Sequence, residues 1–375
     1  MIKVLHVYKS YYPETQGGVE RFIQTLAAET EKRGCENRLV TCTRQNQAYV
    51  EKMGSVKVYF YPKTFELASS PFSYALWKAF PEHLEWADVV HYHFPWPQCD
   101  LLHCRYTEVM KKPASVTYHS DVVRQKYLKY IYFPLMQRFL KSVDYIVPTS
   151  QNYVDTSETL KHYRNKIRVI PIGINPKDYQ VNAEKQDEWR VRLPKRFALF
   201  VGVLRYYKGL TYLLKALEET GVCLVIAGDG PLRKELEEEA QQLKGAEVVF
   251  TGALSNEDLS ALYRLASFMV IPASHRSEAY CIALVEGLMF GLPLVSTEIG
   301  TGTSFVNQQN ETGLVVSPCN PKALKEAVMK LISDDGLRSR MSQSSRLRFE
   351  KLFTSDEMGG RYLDLYKFLL EKALS

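Results

Sequence analysis

Apolar residues fall along this chain in short runs that alternate with segments of helical spacing. Val4 to Tyr8 is the first run. The turn-rich segment Pro13 to Gly18 follows, and from Val19 onward Phe22, Ile23, Leu26 and Ala27 share one helical face until Gly34. This predicts one strand, loop and helix. Arg38 to Thr43, Val56 to Tyr61, Val89 to His93, Ala114 to Tyr118, Tyr145 to Val147 and Ile167 to Ile170 predict further strands. Helical patterns separate many of them, the alternation expected of a parallel sheet covered by helices.

After a polar stretch, Asn175 to Glu188, the pattern starts again. Ala198 to Val203, Val222 to Ala227, Val248 to Phe250, Phe268 to Ile271, Leu294 to Ser296 and Gly313 to Val316 read as strands. Gly209 to Glu219, Gly230 to Leu243, Asn256 to Ala266 and Ala279 to Phe290 read as the helices between them. Lys322 to Ser333 and Ser355 to Leu374 close the chain, the last with Tyr362, Leu365, Tyr366 and Leu369 on one side. The prediction is an α/β protein of two doubly wound domains. In such sheets ligands bind outside the carboxyl ends of the strands, which places a crevice between two facing sheets.

Length agrees, since 375 residues exceed what one core usually supports. The chain is 46% apolar and 24% charged, without low-complexity tracts or internal repeats, so it is expected to fold throughout. Its seven cysteines are scattered, odd in number and without paired CxxC spacing; they read as reduced thiols rather than a zinc site. The opening residues are too soon interrupted for a signal peptide, and no run approaches the ~20 apolar residues of a membrane-spanning helix. A cytoplasmic location is expected. The net charge of +6 sits at the front: residues 1–185 hold 25 Lys/Arg against 18 Asp/Glu. Nucleic acid, an anionic membrane or a phosphorylated ligand could each answer to that asymmetry.

Candidate chemistry is densest in the second half. Ser277 to Gly287 carries Glu278 in a loop after a strand and Glu286 eight positions later, inside a helix. The start of such a helix offers backbone N–H groups and partial positive charge to a diphosphate, and ionised glutamates beside it accept hydrogen bonds from hydroxyl groups. By spacing alone the pair reads as a helix cap and a solvated helix residue. Context supplies the other reading: Gly202, Arg205 and Lys208 follow the first strand of this half, where the two cations could neutralise a leaving diphosphate. Ala227-Gly228-Asp229-Gly230-Pro231 adds a tight turn where a base or ribose could approach the backbone.

The ordered set Gly202, Arg205-x-x-Lys208-Gly209, Gly228-x-Gly230-Pro231, Phe250-x-Gly252 and Glu278-x7-Glu286 strongly resembles the family-four retaining glycosyltransferases of GT-B fold, over almost the whole chain. The resemblance implies two facing Rossmann-like domains with an interdomain cleft. Residues 1–180 plus about 357–375 would form the acceptor side, and 181–356 the donor side. By position Arg205 and Lys208 would bind the diphosphate, Glu278 the transferred sugar and Glu286 the ribose. Tyr280, Cys281 and Ile282 would line the donor, although the family usually has glycine where Cys281 stands. Gly17 and Gly18 match the family's glycine pair beside the donor. His119, in His119-Ser120-Asp121, matches the histidine near the donor sugar and is the expected catalytic-centre residue, whereas His91 and His93 read as structural. Ser150 and Pro171 to Asn175 match loops at the cleft and hinge.

The implied reaction transfers a hexose with retention, by front-side attack, and needs neither metal nor other cofactor. The stretch Pro293 to Asn307 resembles bacterial polysaccharide (O-antigen) mannosyltransferases and points to GDP-mannose, with UDP-glucose, UDP-galactose and UDP-N-acetylglucosamine as alternatives. Arg124, Lys126, Lys129, Arg138 and Lys141 lie among Tyr127, Tyr130, Ile131, Tyr132, Phe133, Leu135 and Met136. Such a mixture suits an anionic bilayer surface, or simply a helix with a solvated cationic face. The expected partners are therefore the nucleotide sugar, a polyprenyl-diphosphate-linked saccharide acceptor and the inner face of the plasma membrane. No nucleic-acid module is recognised. An epimerase or phosphorylase of the same fold, or a nucleotide-sugar sensor that transfers nothing, remains open.

Overall fold

In the computed structural model, which describes residues 1–122 and 128–374, the opening apolar run becomes β1 (Ile2–Val7) at the middle of a seven-stranded sheet. The chain continues through α1 (Gly18–Glu31), β2 (Cys35–Thr43), β3 (Tyr49–Met53), β4 (Val56–Pro62), the hairpin β5 (Phe65–Leu67) and β6 (Ser70–Phe72), and α2 (Tyr74–Trp86). Then come β7 (Val89–Phe94), α3 (Pro97–Leu102), β8 (Ala114–Tyr118), α4 (Leu128–Ser142), β9 (Tyr145–Pro148) and α5 (Gln151–Thr156). The sheet order is β3-β4-β2-β1-β7-β8-β9, parallel except for the edge strand β3. Every residue of β7 and β8 is buried, as strands covered on both faces require. β3, an edge strand, and the hairpin, a separate two-stranded sheet, escaped the periodicity because they are largely exposed and carry no long apolar run. Ile167 to Ile170 forms a single bridge to Ile146 instead of a strand, with Pro171 next in line unable to donate to a ladder.

The second unit repeats the plan. α6 (Ala183–Arg192) precedes β10 (Ala198–Val201), α7 (Leu210–Leu217), β11 (Cys223–Ala227), α8 (Arg233–Gln241), β12 (Glu247–Gly252), α9 (Asn256–Leu265) and β13 (Phe268–Ile271). α10 (Ile282–Met289), β14 (Leu294–Thr297), α11 (Gly302–Val306), β15 (Gly313–Val316), α12 (Pro321–Ser333) and α13 (Asp335–Leu352) complete it. All strands are parallel, in the order β12-β11-β10-β13-β14-β15. α6 begins within the polar stretch Asn175 to Glu188: it has no buried face, and the Asn182 side chain starts it by accepting from the N–H groups of Glu184 and Lys185.

The final helix, α14 (Ser355–Leu374), belongs to the first unit. The two compact units are thus Met1–Gly173 with Ser355–Ser375, and Ile174–Thr354. Tyr362, Leu365, Tyr366 and Leu369 are buried, the stripe the sequence predicts. Two of these also make polar contacts: the hydroxyl of Tyr362 lies 2.7 Å from Thr117 Oγ1, and that of Tyr366 lies 2.7 Å from His91 Nδ1. In each sheet the strand order reverses once, between β1 and β7 and between β10 and β13. These are the positions at which doubly wound sheets hold ligands.

Candidate functional site

In the second unit the loops at the switch point carry the expected residues. Gly202, Arg205 and Lys208 follow β10, Glu278 follows β13, and Lys208 Nζ meets Glu278 Oε2 at 2.5 Å. Each of these side chains is only 10% exposed. Burial alone would lower the Lys208 ammonium, but Cys281 and the Glu278 carboxylate raise it above its ordinary value. The carboxylate is the decisive neighbour, because burial first and then Glu278 push the Cys281 thiol up to about 12 and keep it neutral. Arg205 differs: its side chain is exposed and forms no ion pair among the described residues. A tightly paired cation and a solvent-facing one therefore stand three residues apart.

The glycines of this region serve loop packing. Gly228 has φ +141°, and a Cβ there would strike the carbonyl oxygen of Gly202; a Cβ on Gly230 would lie 2.6 Å from the backbone of Leu204. The turn after β11 is thereby laid against the loop after β10, with Leu204 N–H donating to the Asp229 carbonyl at 2.9 Å. Close approach of backbone to backbone requires a residue without a side chain at both positions.

α10 begins at Tyr280-Cys281-Ile282. Cys281 has φ 67° and ψ 82°, so the left-handed backbone expected of glycine is kept with a cysteine in place. Such a residue costs about 1–2 kcal/mol and persists only where its surroundings enforce it. The loop after β14 braces it: Thr301 Oγ1 donates to the Glu278 carbonyl at 2.7 Å, and Gly302 N–H to the Ala279 carbonyl at 2.9 Å. Asn307, at the end of the stretch that suggested the donor, is fully buried and donates to Ser296 and to the Leu314 carbonyl, holding β14 against β15. Glu286, in α10, is buried, with Oε1 accepting from the Tyr179 hydroxyl at 2.5 Å and Oε2 from the Tyr263 hydroxyl at 2.6 Å. Neither tyrosine was singled out from the sequence. Tyr263 is indistinguishable there from the apolar face of α9, and Tyr179 lies in the polar stretch.

In the first unit Gly17 caps α1 and Gly18 opens it. A Cβ on Gly17 would come within 2.5 Å of Glu20 Oε2; Glu20 is buried and accepts from Ser10 at 2.9 Å and Thr15 at 2.7 Å. His119 follows β8, half-buried, with the Phe22 ring edge-on at 5.1 Å. Desolvation pushes its imidazole down to about 3, so it is neutral. Asp121 accepts from Tyr118 at 2.9 Å and Ser157 at 2.8 Å, and Ser150 caps α5. His91 and His93 are buried and hydrogen-bonded, and His93 Nδ1 lies 3.3 Å from His119 Nε2.

Of the basic and aromatic segment, Arg124, Lys126 and Tyr127 lie outside the described residues, as do the side chains of Lys129, Tyr130 and Ile131 in α4. Arg138 is exposed and pairs with Glu108, whereas Met136 is buried and Tyr132 donates to buried Asp100, so part of the segment packs inward. Among the described residues no helix is long and apolar enough to cross a membrane, and all seven cysteines are unpaired.

Residues 181–348 match the family described as "Glycosyl transferases group 1", and residues 16–178 match "Glycosyltransferase Family 4". The chain is 43% identical over 373 residues to the Escherichia coli "O-antigen chain mannosyltransferase C", covering 99% of each. It is 44% identical over 355 residues to a Pseudomonas aeruginosa D-rhamnosyltransferase, covering 94% of this chain and 93% of the relative. Among solved structures, sucrose-phosphate synthase from Thermosynechococcus elongatus superposes with a TM-score of 0.77 at 19% identity, covering 99% of this chain and all of that one. The Anabaena HepE protein in complex with UDP does so with 0.79 at 14%, covering 98% and 100%, so both speak for the fold alone. Two doubly wound sheets, the paired Lys208 and Glu278 at a switch point and these likenesses lead to one conclusion: the chain belongs to the family-four glycosyltransferases of GT-B fold, enzymes that transfer a sugar from a nucleotide-sugar donor to an acceptor.

Proposed function

We propose that this enzyme transfers mannose from GDP-mannose, with retention at the anomeric carbon, to a saccharide carried on a polyprenyl diphosphate. The product would be a bacterial surface polysaccharide of the O-antigen kind. The observation that carries this reading is the 43% identity, across nearly the whole of both chains, to the Escherichia coli O-antigen mannosyltransferase. The reaction breaks the bond from the anomeric carbon to the diphosphate oxygen and forms one to the acceptor oxygen on the same face. The acceptor proton passes to the departing diphosphate. Arg205, Lys208 and the first turn of α10 stabilise the negative charge that develops there, in place of a metal. Glu278 accepts from hydroxyls of the transferred sugar and Glu286 from those of the ribose, while His119 acts at the reacting sugar. Either cation is worth about 2–4 kcal/mol of barrier, by analogy with the loss of one preorganised donor at an oxyanion.

Catalysis is proposed to occur on the inner face of the plasma membrane, with Arg124, Lys126 and Lys129 against anionic lipid. Flotation with vesicles containing phosphatidylglycerol tests that contact, and binding indifferent to anionic lipid refutes it. One competing donor has support of its own. The Pseudomonas relative is named for D-rhamnose, which is 6-deoxy-D-mannose, so the GDP-linked deoxy sugar belongs beside GDP-mannose in any screen. The test is release of free nucleotide from GDP-mannose, GDP-D-rhamnose and the three UDP-hexoses, followed by mass spectrometry of the lipid-linked product. Turnover with UDP-sugars alone refutes the donor assignment.

A further inference from the structure

Four histidines cluster beneath α1 and α14 in the first unit: His6 on β1, His91 and His93 on β7, and His119 after β8. Three of them form a chain that ends on Asn37 in β2. Asn37 Oδ1 is 3.3 Å from His6 Nε2, His6 Nδ1 is 3.2 Å from His93 Nε2, and His93 Nδ1 is 3.3 Å from His119 Nε2. A run of imidazoles can carry its protons in either direction, and what selects one is the group at its end.

Here that end is fixed. Asn37 is buried, and its Nδ2 donates to the Ala27 carbonyl at 3.1 Å. Rotating the amide by half a turn would set its oxygen against that carbonyl, two acceptors face to face, so Oδ1 must be the atom that faces His6. An amide oxygen only accepts, hence His6 carries its proton on Nε2. A neutral imidazole has one N–H, so His6 Nδ1 is a lone pair and accepts from Nε2–H of His93. By the same step His93 Nδ1 accepts from Nε2–H of His119, and His119 Nδ1 is left as an acceptor. Neutrality follows from burial, which pushes His6 down to about 4 and His119 to about 3, with His93 held well below its ordinary value. A second proton on His6 or His93 would set N–H against N–H inside the chain.

We infer that Asn37, His6 and His93 are positioning residues that hold His119 in its Nε2–H tautomer, so that Nδ1 of His119 accepts a hydrogen bond from a hydroxyl of the sugar. The assignment to the sugar rests on the placement of His119 proposed above; the order of tautomers does not. His119 then recognises a hydroxyl and acts neither as a cation toward the diphosphate nor as a base. A deoxy sugar lacking that hydroxyl would leave the lone pair unanswered.

The cluster invites a second reading, since nitrogens of His6, His91 and His93 lie within 4.8 Å of one another, close enough to share a metal ion. Their hydrogen bonds argue otherwise. His91 Nδ1 and Nε2 are each 2.7 Å from a hydroxyl, those of Tyr366 and Thr117, and both nitrogens of His6 and of His93 are used in the chain. A bound ion would have to break at least one of these contacts per ligand.

The experiment uses the full chain labelled with 15N in its histidines, read by long-range 1H–15N correlation near pH 7.5. The expected spectrum shows Nε2 protonated and Nδ1 bare in His6, His93 and His119 alike. Mixed or reversed tautomers in the parent protein overturn the inference without any variant. Asn37→Leu removes the acceptor that holds the proton on His6 Nε2; the chain is expected to reverse, moving the proton of His119 to Nδ1. The same change should lower kcat/KM by roughly tenfold, the value of one hydrogen bond. A variant that folds and keeps the parent tautomer at His119 overturns the role of Asn37. Titrating the parent with GDP-mannose should shift His119 Nδ1. Correct tautomers with no such shift overturn the assignment to the sugar and leave the order of the chain standing. Stoichiometric zinc in the purified protein, released with a change in these resonances, overturns the hydrogen-bonded reading.

Discussion

Removing one partner of the Lys208–Glu278 pair should unfold the second unit more readily than removing both. The two side chains meet at 2.5 Å with 10% exposure each, so neither survivor can recover its water shell when the other is lost. Leaving one buried charge unpaired costs about 3–5 kcal/mol, whereas replacing both by uncharged groups of similar volume is often near neutral. Lys208→Met and Glu278→Gln should therefore each lower the midpoint of this unit by roughly 6–20 °C, at about 2–4 °C per kcal/mol for a unit of this size. The double variant should recover most of that loss, with a coupling of at least ~2 kcal/mol, well above the ~0.3–0.5 kcal/mol within which independent sites add. Trp189 reports the transition, since it lies in α6 and donates to Asp258 at 3.0 Å within the same unit. Function separates the variants differently. All three should lose turnover, but Glu278→Gln frees Lys208 for a diphosphate and should bind GDP about tenfold more tightly than the parent, about 1.4 kcal/mol. The reasoning fails if Lys208→Met stays within 1 kcal/mol of the parent, or if the double variant is as unstable as the two losses added together.

Acid should open the first unit before the second. Its histidines His6, His83, His91, His93 and His103 are all buried with lowered folded-state values, about 4 for His6 and His83 and about 3 for His103. The unfolded chain binds their protons from about pH 6.5 downward while the folded one does not, so stability present above 6.5 is lost as the pH falls, on the order of 1 kcal/mol for a single such histidine at pH 5.5. Hydrogen exchange resolved by peptide at pH 7.5 and 5.5 checks this, and equal loss of protection in both units contradicts it. Cys281→Gly should relieve the left-handed strain and raise stability by about 1 kcal/mol in denaturant titration, less what the buried thiol contributes to packing. Glu286→Ala should raise the donor KM and also destabilise, by about 1–3 kcal/mol for the buried Tyr263 hydroxyl that loses its acceptor; unchanged stability would mean that Tyr263 does not depend on it. Thiol labelling should modify exposed Cys319 long before buried Cys281, and mass spectrometry of the first adduct decides.

How far the sequence could be read depended on whether a residue's role was local. The strands Ala114–Tyr118 and Phe268–Ile271 have the bounds that apolar runs predict, because a strand buried on both faces leaves its mark on each consecutive residue. α6 and β3 left no such mark, having no buried face to encode. The switch-point loops were legible as a set of glycines, cations and glutamates in order. That order could not say that Lys208 and Glu278 hold each other, or that Gly228 and Gly230 make room for the neighbouring loop, since each fact joins segments that meet only when the sheet is assembled. The histidines are the sharpest case. His91 and His93 stand two apart on a strand, and each read singly is a buried polar residue in search of a partner. Their partners come from α14 and β8 for one and from β1 and the loop after β8 for the other. The residue that gives the chain its direction, Asn37, carries no motif at all. It could be found only by asking of each buried polar atom which neighbour it donates to, because a proton shared along a row is settled by the one group in the row that has no choice.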